Sequence, residues 1–512
     1  MKARGPGGSW AWLALALTLA IPIGWGAAPQ YPWDIDNIAP GSVLRGMSRH
    51  FAPGWASSYG PVPYLVTAIA YAPTLAVMRI VGEFGQPAPD YPWGFAHPER
   101  SLGFLVVLAR LVTAAFALGL VVLAARARQV RHDAPPGWVV PLLVLGSPLF
   151  CYYARTSNVD MHYLFWLWLG FEMLERRQSS PGSLALAAAA AALAVCSKEQ
   201  SAPLALVIGV GALVRAWKTA SHGSGPRDTL LVALAGLLVY ALVWGLPFNL
   251  SGWRAHHQFI FTEARYPRAF PLTPSGLAGL IARLVSQLPV TLGPLLTAAL
   301  VAAVLLRTSV RGLAPRALGC ALYLGSFLLS VGYVYPRFLL PLLLLAIPIG
   351  ARALADAARA THAASVFTPA VALALALLGG PALSLAMSTD PRLAVERWMR
   401  ERVPAGAAIE IAGNPHYQAR VPYSRTVLRA DVDSLARAPR GPRGDVVLFS
   451  TLDAYTFERD SLVRRAFLDS LQSADGAFVP VRFRSNALAR LVRGLPVAPN
   501  VTAYVRRSVM AP

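Results

Sequence analysis

Long apolar runs, separated by short polar turns, are the feature that most limits how this sequence can fold. Hydrophobic residues make up 55% of the 512 residues and charged residues 14%, and the mean hydropathy is +0.48. A soluble domain carries roughly 25% charged residues. Apolar runs of about 20 residues are long enough to cross a bilayer as helices. The sequence therefore predicts an integral membrane protein whose main part is an all-α polytopic domain.

The basic residues follow the pattern of a membrane protein. Lysine and arginine number 46 and acidic residues 25, which gives a formal net charge of +21. Most basic residues are arginines at the ends of apolar runs, as membrane topology requires. The sequence lacks the basic and aromatic stripes that bind nucleic acid, so no such partner is expected. The positions of the cysteines support neither a disulfide framework nor a zinc site. Each of them lies in an apolar run: Cys151, Cys196 and Cys320.

About eleven apolar segments are predicted to span the bilayer, several of them shorter than a perpendicular span needs. The first, residues 10–27, is interpreted as a retained helix that begins inside, with a signal peptide ending near Ala27 as the alternative. The others are residues 102–125, 138–153, 161–174, 183–196, 201–217, 229–245, 288–306, 318–334, 338–350 and 367–386.

The apolar segment 62–81 decides the topology. If it spans, the loop that begins at Arg126 and every later basic loop reverse sides, against the positive-inside rule. If it lies along the interface or re-enters, as its prolines allow, the basic loops all fall inside. We adopt the second alternative. It puts the N-terminus in the cytoplasm, interfacial helices in the first external loop, and the C-terminal part outside.

This topology brings the unusual polar residues to one external surface. Each also has a structural explanation: Asp36 could cap a helix ending near Met47, Asp160 could cap its own helix, and Arg337 could snorkel to headgroups. Lys198 and Glu199 could form a solvated turn. Carboxylates are scarce in this chain, and their shared position with cations favours a functional site. The set is Asp34, Asp36, Asp160, His162, Lys198, Glu199, Arg337 and the loop 247–287.

From residue 391 onward the composition becomes that of a soluble domain. Short strands are predicted near Ile409, Val447, Val481 and Tyr504, with helices at 393–402 and 457–471. The predicted organisation is a membrane domain over residues 1–390 and a small α/β domain over 391–512.

Several short motifs follow one another between residues 10 and 350. Asp36 to Met47 is an acidic residue followed by a short predicted helix, and YGPVPY at 59–64 is a proline-rich entry to the next helix. The others are Arg110-Leu111, YYARTSNVDMH ending at His162, SKEQ at 197–200, the stretch 257–263 and YPRFLLP at 335–341. Taken in order, they resemble the GT-C class of polytopic glycosyltransferases, in the branch of the lipid A aminoarabinose transferase and the protein O-mannosyltransferases. Asn37 stands where that family has Glu.

The resemblance implies transfer of a sugar from a polyprenyl-phosphate donor to a lipid, glycan or protein acceptor at the external face of the bacterial inner membrane. Asp36 would be the general base of one inverting displacement, with Asp34 as its substitute, and Asp160 would orient the acceptor or help to bind a cation. Lys198, Arg337 and Arg110 would hold the departing phosphate. Further acceptor or loop contacts would be His257, Glu263, Glu199, His162 and Tyr59.

No cofactor is specified, although a divalent cation is compatible with the scattered carboxylates. Membrane lipids are the other expected partners. The competing hypothesis is a transporter or flippase of lipid-linked sugars, which should have repeated halves and polar residues near mid-helix. A membrane scaffold would explain none of the motifs.

Overall fold

The computed structural model describes residues 8–38, 40–129, 135–176, 179–219, 225–262, 267–360, 362–421, 425–430, 441–453, 461–473, 477–492 and 494–510. The chain forms two compact units. One comprises Met1–Ile23 and Asp36–Pro381, and the other Gly24–Ile35 and Ala382–Pro512. The short stretch that contains Asp34 therefore packs with the C-terminal part of the chain, whereas Asp36 belongs to the helical unit.

The helical unit is built from short and long helices joined by tight turns. They are α1 (Ser9–Ala20), α2 (Gly41–Ser48), α3 (Val62–Ile80), α4 (Pro98–Gln129), α5 (Val139–Leu145), α6 (Pro148–Tyr153), α7 (Asp160–Leu174), α8 (Pro181–Val195), α9 (Ala202–Thr219), α10 (Gly225–Val243), α11 (Leu250–Thr262), α12 (Pro274–Leu305), α13 (Ala314–Leu322), α14 (Leu329–Val331), α15 (Leu343–Arg359) and α16 (His362–Leu377). Helix α17 (Gly380–Ser388) leads into the second unit.

Eight helical segments of the described chain are long and apolar enough to cross a membrane. The shorter helices α1 and α8 are also apolar. This is the architecture of a multi-pass membrane protein, and it confirms the predicted fold class. The segments are Val62–Ile80, Pro98–Arg126, Glu199–Lys218, Gly225–Val243, Pro274–Leu305, Ala314–Val331, Pro336–Arg359 and Phe367–Arg402.

The predicted span 138–153 was wrong as a single helix. It is divided at Gly146, and the hydroxyl of Ser147 caps the next helix by accepting from the Phe150 N–H at 3.2 Å. That hydroxyl also donates to the Thr291 carbonyl at 2.5 Å. Nearby, α12 kinks at Gly293, where φ is +70° and a Cβ would lie 1.8 Å from the Gly146 carbonyl oxygen. Two helix breaks thus support each other, which a hydropathy run does not reveal.

Segment 62–80 is one continuous helix despite the internal Pro73. Its length and hydropathy are those of a spanning helix, and a re-entrant break is not present in it. The prediction that it lies along the interface concerns its orientation in the bilayer and stays a prediction.

The second unit is a small α/β domain, as predicted. Its sheet has the order β2 (Val427–Ala430), β1 (Ile409–Ala412), β3 (Val446–Ser450), β5 (Val501–Arg506) and β4 (Phe478–Phe483). Strand β1 is parallel to β2 and β3, and β5 is antiparallel to β3 and β4. Strand β2 was missed because its exposed, arginine-containing sequence lacks an apolar alternation. The elements are α18 (Pro391–Arg402), β1 (Ile409–Ala412), β2 (Val427–Ala430), β3 (Val446–Ser450), α19 (Ser461–Ser473), β4 (Phe478–Phe483), β5 (Val501–Arg506) and α20 (Arg507–Met510).

Candidate active site

Arg337 and Asp36 form an ion pair within the helical unit. An Nη atom of Arg337 donates to the Oδ2 atom of Asp36. The Arg337 side chain is 14% exposed and that of Asp36 is 41% exposed. The guanidinium also lies 5.7 Å from the ring centre of Tyr335 and 5.8 Å from that of Phe338. A cation fixed between aromatic rings therefore meets a carboxylate that remains open to solvent on one side.

The backbone places Asp36 in a turn ahead of helix α2. Its φ is +62°, in the left-handed region, and α2 begins only at Gly41 with Pro40 as its cap residue. Asp36 therefore does not cap this helix, which excludes the structural explanation considered for it. The N–H of Ile38 donates to the Ser157 carbonyl at 3.0 Å, which fixes the turn against the α6–α7 connection.

Asp160 and Lys198 form a second, more deeply buried ion pair. Lys198 Nζ donates to Asp160 Oδ1 at 2.8 Å, and the two side chains are 7% and 0% exposed. No described residue donates to the other oxygen, Asp160 Oδ2. Burial lowers the pKa of Lys198, and the Asp160 carboxylate opposes that shift. Lys198 is therefore not part of a solvated turn, and its charge depends on Asp160.

Tyr59 connects the two ion pairs. Lys198 Nζ lies 5.5 Å from the centre of the Tyr59 ring. Burial raises the pKa of Tyr59; Arg337 opposes this shift, and Asp36 and Asp160 add to it. Tyr59 therefore remains a neutral phenol that can donate a hydrogen bond. Asp36, Asp160, Lys198 and Arg337 consequently form one electrostatic cluster around it.

Next to this cluster, His256 bridges two loops. Its Nε2 atom lies 2.8 Å from Glu199 Oε1, its Nδ1 atom lies 2.6 Å from the Ser57 carbonyl oxygen, and its ring is fully buried. A carbonyl and an ionised carboxylate can only accept, so both ring nitrogens must donate. Burial opposes protonation, but the hydrogen bond to Glu199 and its charge raise the pKa of His256. His256 is thus an imidazolium that holds the loop before Tyr59 against the Lys198 turn.

Two uncharged residues, Asn249 and Gly60, fix the loop that carries Tyr59. Asn249 accepts from the Gly54 N–H at 2.9 Å and donates to the Trp55 carbonyl at 3.0 Å. Gly60 lies so close to α8 that a Cβ there would be 2.1 Å from the Cys196 carbonyl oxygen. These contacts hold the chain on both sides of Tyr59.

The remaining predicted site residues lie in other surroundings. Arg110 is buried and donates to the Ile23 carbonyl at 2.8 Å, at the end of the first helical segment. Asp34 is buried in the second unit. His162 is buried with its ring 4.2 Å from that of Phe116, and His257 bonds the Trp253 carbonyl of its own helix at 2.9 Å. Glu263 lies outside the described residues.

Sequence reasoning missed His256, Asn249 and Ser57. The adjacent histidines His256 and His257 give no pattern that tells which one faces inward. His257 was the one predicted from the sequence as the loop contact. Ser57 meets His256 through its backbone carbonyl, and no sequence motif marks such a contact.

The described side chains were compared with the requirements of a metal site. Within the described ranges, no group of three or more His, Cys, Asp or Glu residues is arranged to hold an ion.

Comparison with known proteins finds solved structures only, since no family model and no curated protein matches the chain. ArnT from Cupriavidus metallidurans, bound to undecaprenyl phosphate, is 14% identical over 98% of this chain and 99% of that one, with a TM-score of 0.45. The archaeal oligosaccharyltransferase AglB from Archaeoglobus fulgidus, with an inhibitory peptide and a dolichol-phosphate, is 12% identical over 77% of this chain and 58% of that one, with a TM-score of 0.40.

Proposed function

We propose that this protein is a membrane glycosyltransferase. It transfers a sugar from a polyprenyl-phosphate donor to a lipid, glycan or protein acceptor by a single inverting displacement. The observation that carries this proposal is the presence of two ion pairs, Asp36–Arg337 and Asp160–Lys198, with the Lys198 ammonium 5.5 Å from the centre of the Tyr59 ring.

The two cations suit a phosphate-bearing donor. A guanidinium binds phosphate with a fork of two N–H groups, and an ammonium adds a compact charge. Arg337 and Lys198 are each occupied by a carboxylate in the structure, so an incoming phosphate competes with Asp36 and Asp160 for them. Asp36 is the more exposed of the two carboxylates and is therefore the one that the donor releases more readily.

Asp36 then acts as the general base. The acceptor oxygen or nitrogen attacks the anomeric carbon, its proton passes to Asp36, and the bond from that carbon to the phosphate oxygen breaks. The electron pair leaves with the phosphate, where Arg337 and Lys198 stabilise the increased negative charge. A base positioned in this way typically contributes a factor of about 100 or more. Because the leaving group is already an anion, the step requires no separate acid.

Asp160 keeps Lys198 charged and offers Oδ2 to a donor or acceptor hydroxyl. The buried ion pair supplies this oxygen at a fixed position, since Asp160 Oδ1 is held by Lys198 at 2.8 Å. Tyr59, a neutral phenol, donates a further hydrogen bond to the phosphate.

The reaction takes place at the external face of the bacterial inner membrane. The N-terminus lies in the cytoplasm and the second unit outside, because that arrangement puts the basic loops inside. A polyprenyl chain remains in the lipid while its phosphate meets the charged cluster at the surface.

The proposal is tested by comparing cell-envelope glycans, by mass spectrometry, with and without the intact gene and with Asp36→Asn in its place. A sugar modification that disappears in both altered strains supports a transferase. An envelope that is unchanged in the Asp36→Asn strain but altered without the gene favours a flippase, which needs the cations and no base.

A further inference from the structure

The second unit contains a cleft of about 480 Å³ that the proposed transfer does not use. Its walls are the turn after β3, the end of β4, the 3₁₀ turn Ala487–Arg490 and the segment before β5. This volume is in the usual range for small-ligand sites, which is about 300 to 1,000 Å³. The cleft can therefore hold a ligand larger than a bare anion.

Two arginines of the described chain bring positive charge to the cleft. Arg484 and Arg490 line it, and both are exposed. Within the described residues, neither guanidinium has a hydrogen bond or an ion pair, and none of the lining residues is acidic. Other arginines of this unit are occupied: Arg392 by Asp390 at 2.7 Å and Arg420 by Glu396 at 2.6 Å.

The polar floor of the cleft is fixed. Asn500 Oδ1 accepts from the backbone N–H of Ser485 at 2.8 Å, and the N–H of Asn500 donates to Thr451 Oγ1 at 3.1 Å. Asn486 donates to Thr389 at 2.7 Å. Hydroxyl and amide groups held in this way beside two guanidiniums are suited to a ligand with both hydroxyls and an anionic group.

We propose that this cleft binds a phosphorylated carbohydrate, with Arg484 and Arg490 on the phosphate and the amide and hydroxyl groups on the sugar. The ligand is either a free sugar phosphate or the headgroup of a glycolipid. Binding is independent of the charged cluster in the helical unit.

Hydrogen exchange of the purified full-length protein, reconstituted in detergent-free nanodiscs, tests this locally. The probes are glucose 1-phosphate, glucose as the uncharged control, and vesicles containing phosphatidylinositol as the headgroup probe. We expect glucose 1-phosphate, or the vesicles, to slow exchange in residues 484–500 in a saturable manner, and glucose alone to have no effect. Protection by the soluble probe identifies a free sugar phosphate as the ligand, and protection by the vesicles alone identifies a headgroup.

Matched variants separate a built site from a diffuse positive surface. Arg484→Gln with Arg490→Gln should weaken binding by roughly tenfold or more, because each charge-assisted hydrogen bond contributes substantially. Ala487→Trp should also weaken it by filling the cleft without changing charge. Arg482→Gln, an exposed arginine on β4 that does not line the cleft, should leave binding unchanged. The proposal would be overturned if Arg482→Gln weakened binding as much as the double variant, or if Ala487→Trp did not weaken it. It would also be overturned if neither probe slowed hydrogen exchange.

Discussion

Arg337 donates a hydrogen bond to Asp36, a residue 301 positions earlier in the chain. The pair joins the turn before α2 to the 3₁₀ turn Pro336–Leu342, and the Asp160–Lys198 pair lies in the same electrostatic cluster. Each carboxylate therefore has a cation that a phosphate would also bind. If the protein is the proposed transferase, donor binding and release of the Asp36 base are parts of one event, and each residue has its own expected effect.

Asp36→Asn should reduce sugar transfer by about 100-fold or more, since the amide cannot take the acceptor proton. Donor binding should be retained, because Arg337 is then released from its carboxylate partner. Turnover and donor affinity of the purified variant check this. Asp90→Asn, an exposed carboxylate in the loop after α3, is the control and should keep full turnover. Wild-type turnover in Asp36→Asn would remove Asp36 as the base.

Arg337→Ala should raise the donor KM much more than the acceptor KM, because only the donor carries a phosphate. Arg337→Lys should restore donor binding in part, since an ammonium keeps the charge and loses the fork. Saturation curves for both substrates measure the effect, with Arg79→Ala at the exposed end of α3 as the control. An unchanged donor KM in Arg337→Ala would mean that Arg337 only anchors its segment.

The sequence indicated most of the charged cluster but not its internal pairing. Asp36, Asp160, Lys198 and Arg337 are rare charges beside apolar runs, and composition, the predicted topology and the ordered motifs pointed to them. The same signals also pointed to Asp34 and His162, which lie in other surroundings. Which carboxylate meets which cation depends on how distant segments pack, and nothing local encodes that.

The sequence also does not reveal where helices break. Gly293 and Ser147 act through contacts with each other's segments, so a hydropathy window merges or extends helices there. His256 was missed for a related reason: its partners are a backbone carbonyl and Glu199, 57 positions away.

Lys198→Met should lower the free energy of unfolding by about 3–5 kcal/mol, because it leaves the buried Asp160 carboxylate without a counter-charge. The double variant Lys198→Met with Asp160→Asn should recover most of that loss. Thermal unfolding in detergent measures both. Arg359→Met, which breaks the exposed pair with Asp356, should cost at most about 0.5 kcal/mol. Equal stability of Lys198→Met and the wild type would show that the pair is not buried in the folded protein.

The bridge made by His256 should depend on pH. Its folded pKa is raised, so its contribution to stability is complete below the ordinary histidine pKa of about 6.5 and is lost as pH rises through the raised value. Glu199 and the neighbouring His257 ring are the titratable groups facing it. As pH rises from about 6.5 through the raised pKa of His256, the melting temperature of the wild type should fall relative to that of His256→Gln. Parallel curves for the two proteins would contradict the imidazolium bridge.

Labelling tests the topology. The native cysteines are buried, so single exposed cysteines can be introduced at Ala405 and Ser309. In intact spheroplasts, an impermeant thiol reagent should label Ala405→Cys at once and Ser309→Cys only after lysis. The reverse pattern would place the basic loops outside and would mean that segment 62–80 spans the bilayer.

A glycosyltransferase of the proposed kind breaks the bond between the sugar and the polyprenyl phosphate. Membranes that contain the native acceptors can be supplied with a radiolabelled polyprenyl-phosphate pentose or hexose, and the released polyprenyl phosphate measured by mass spectrometry. Wild-type membranes should release polyprenyl phosphate and transfer label to an acceptor, and Asp36→Asn membranes should do both at least about 100-fold more slowly. A donor that is bound but stays intact in wild-type membranes, for pentose and hexose alike, would contradict the proposed function.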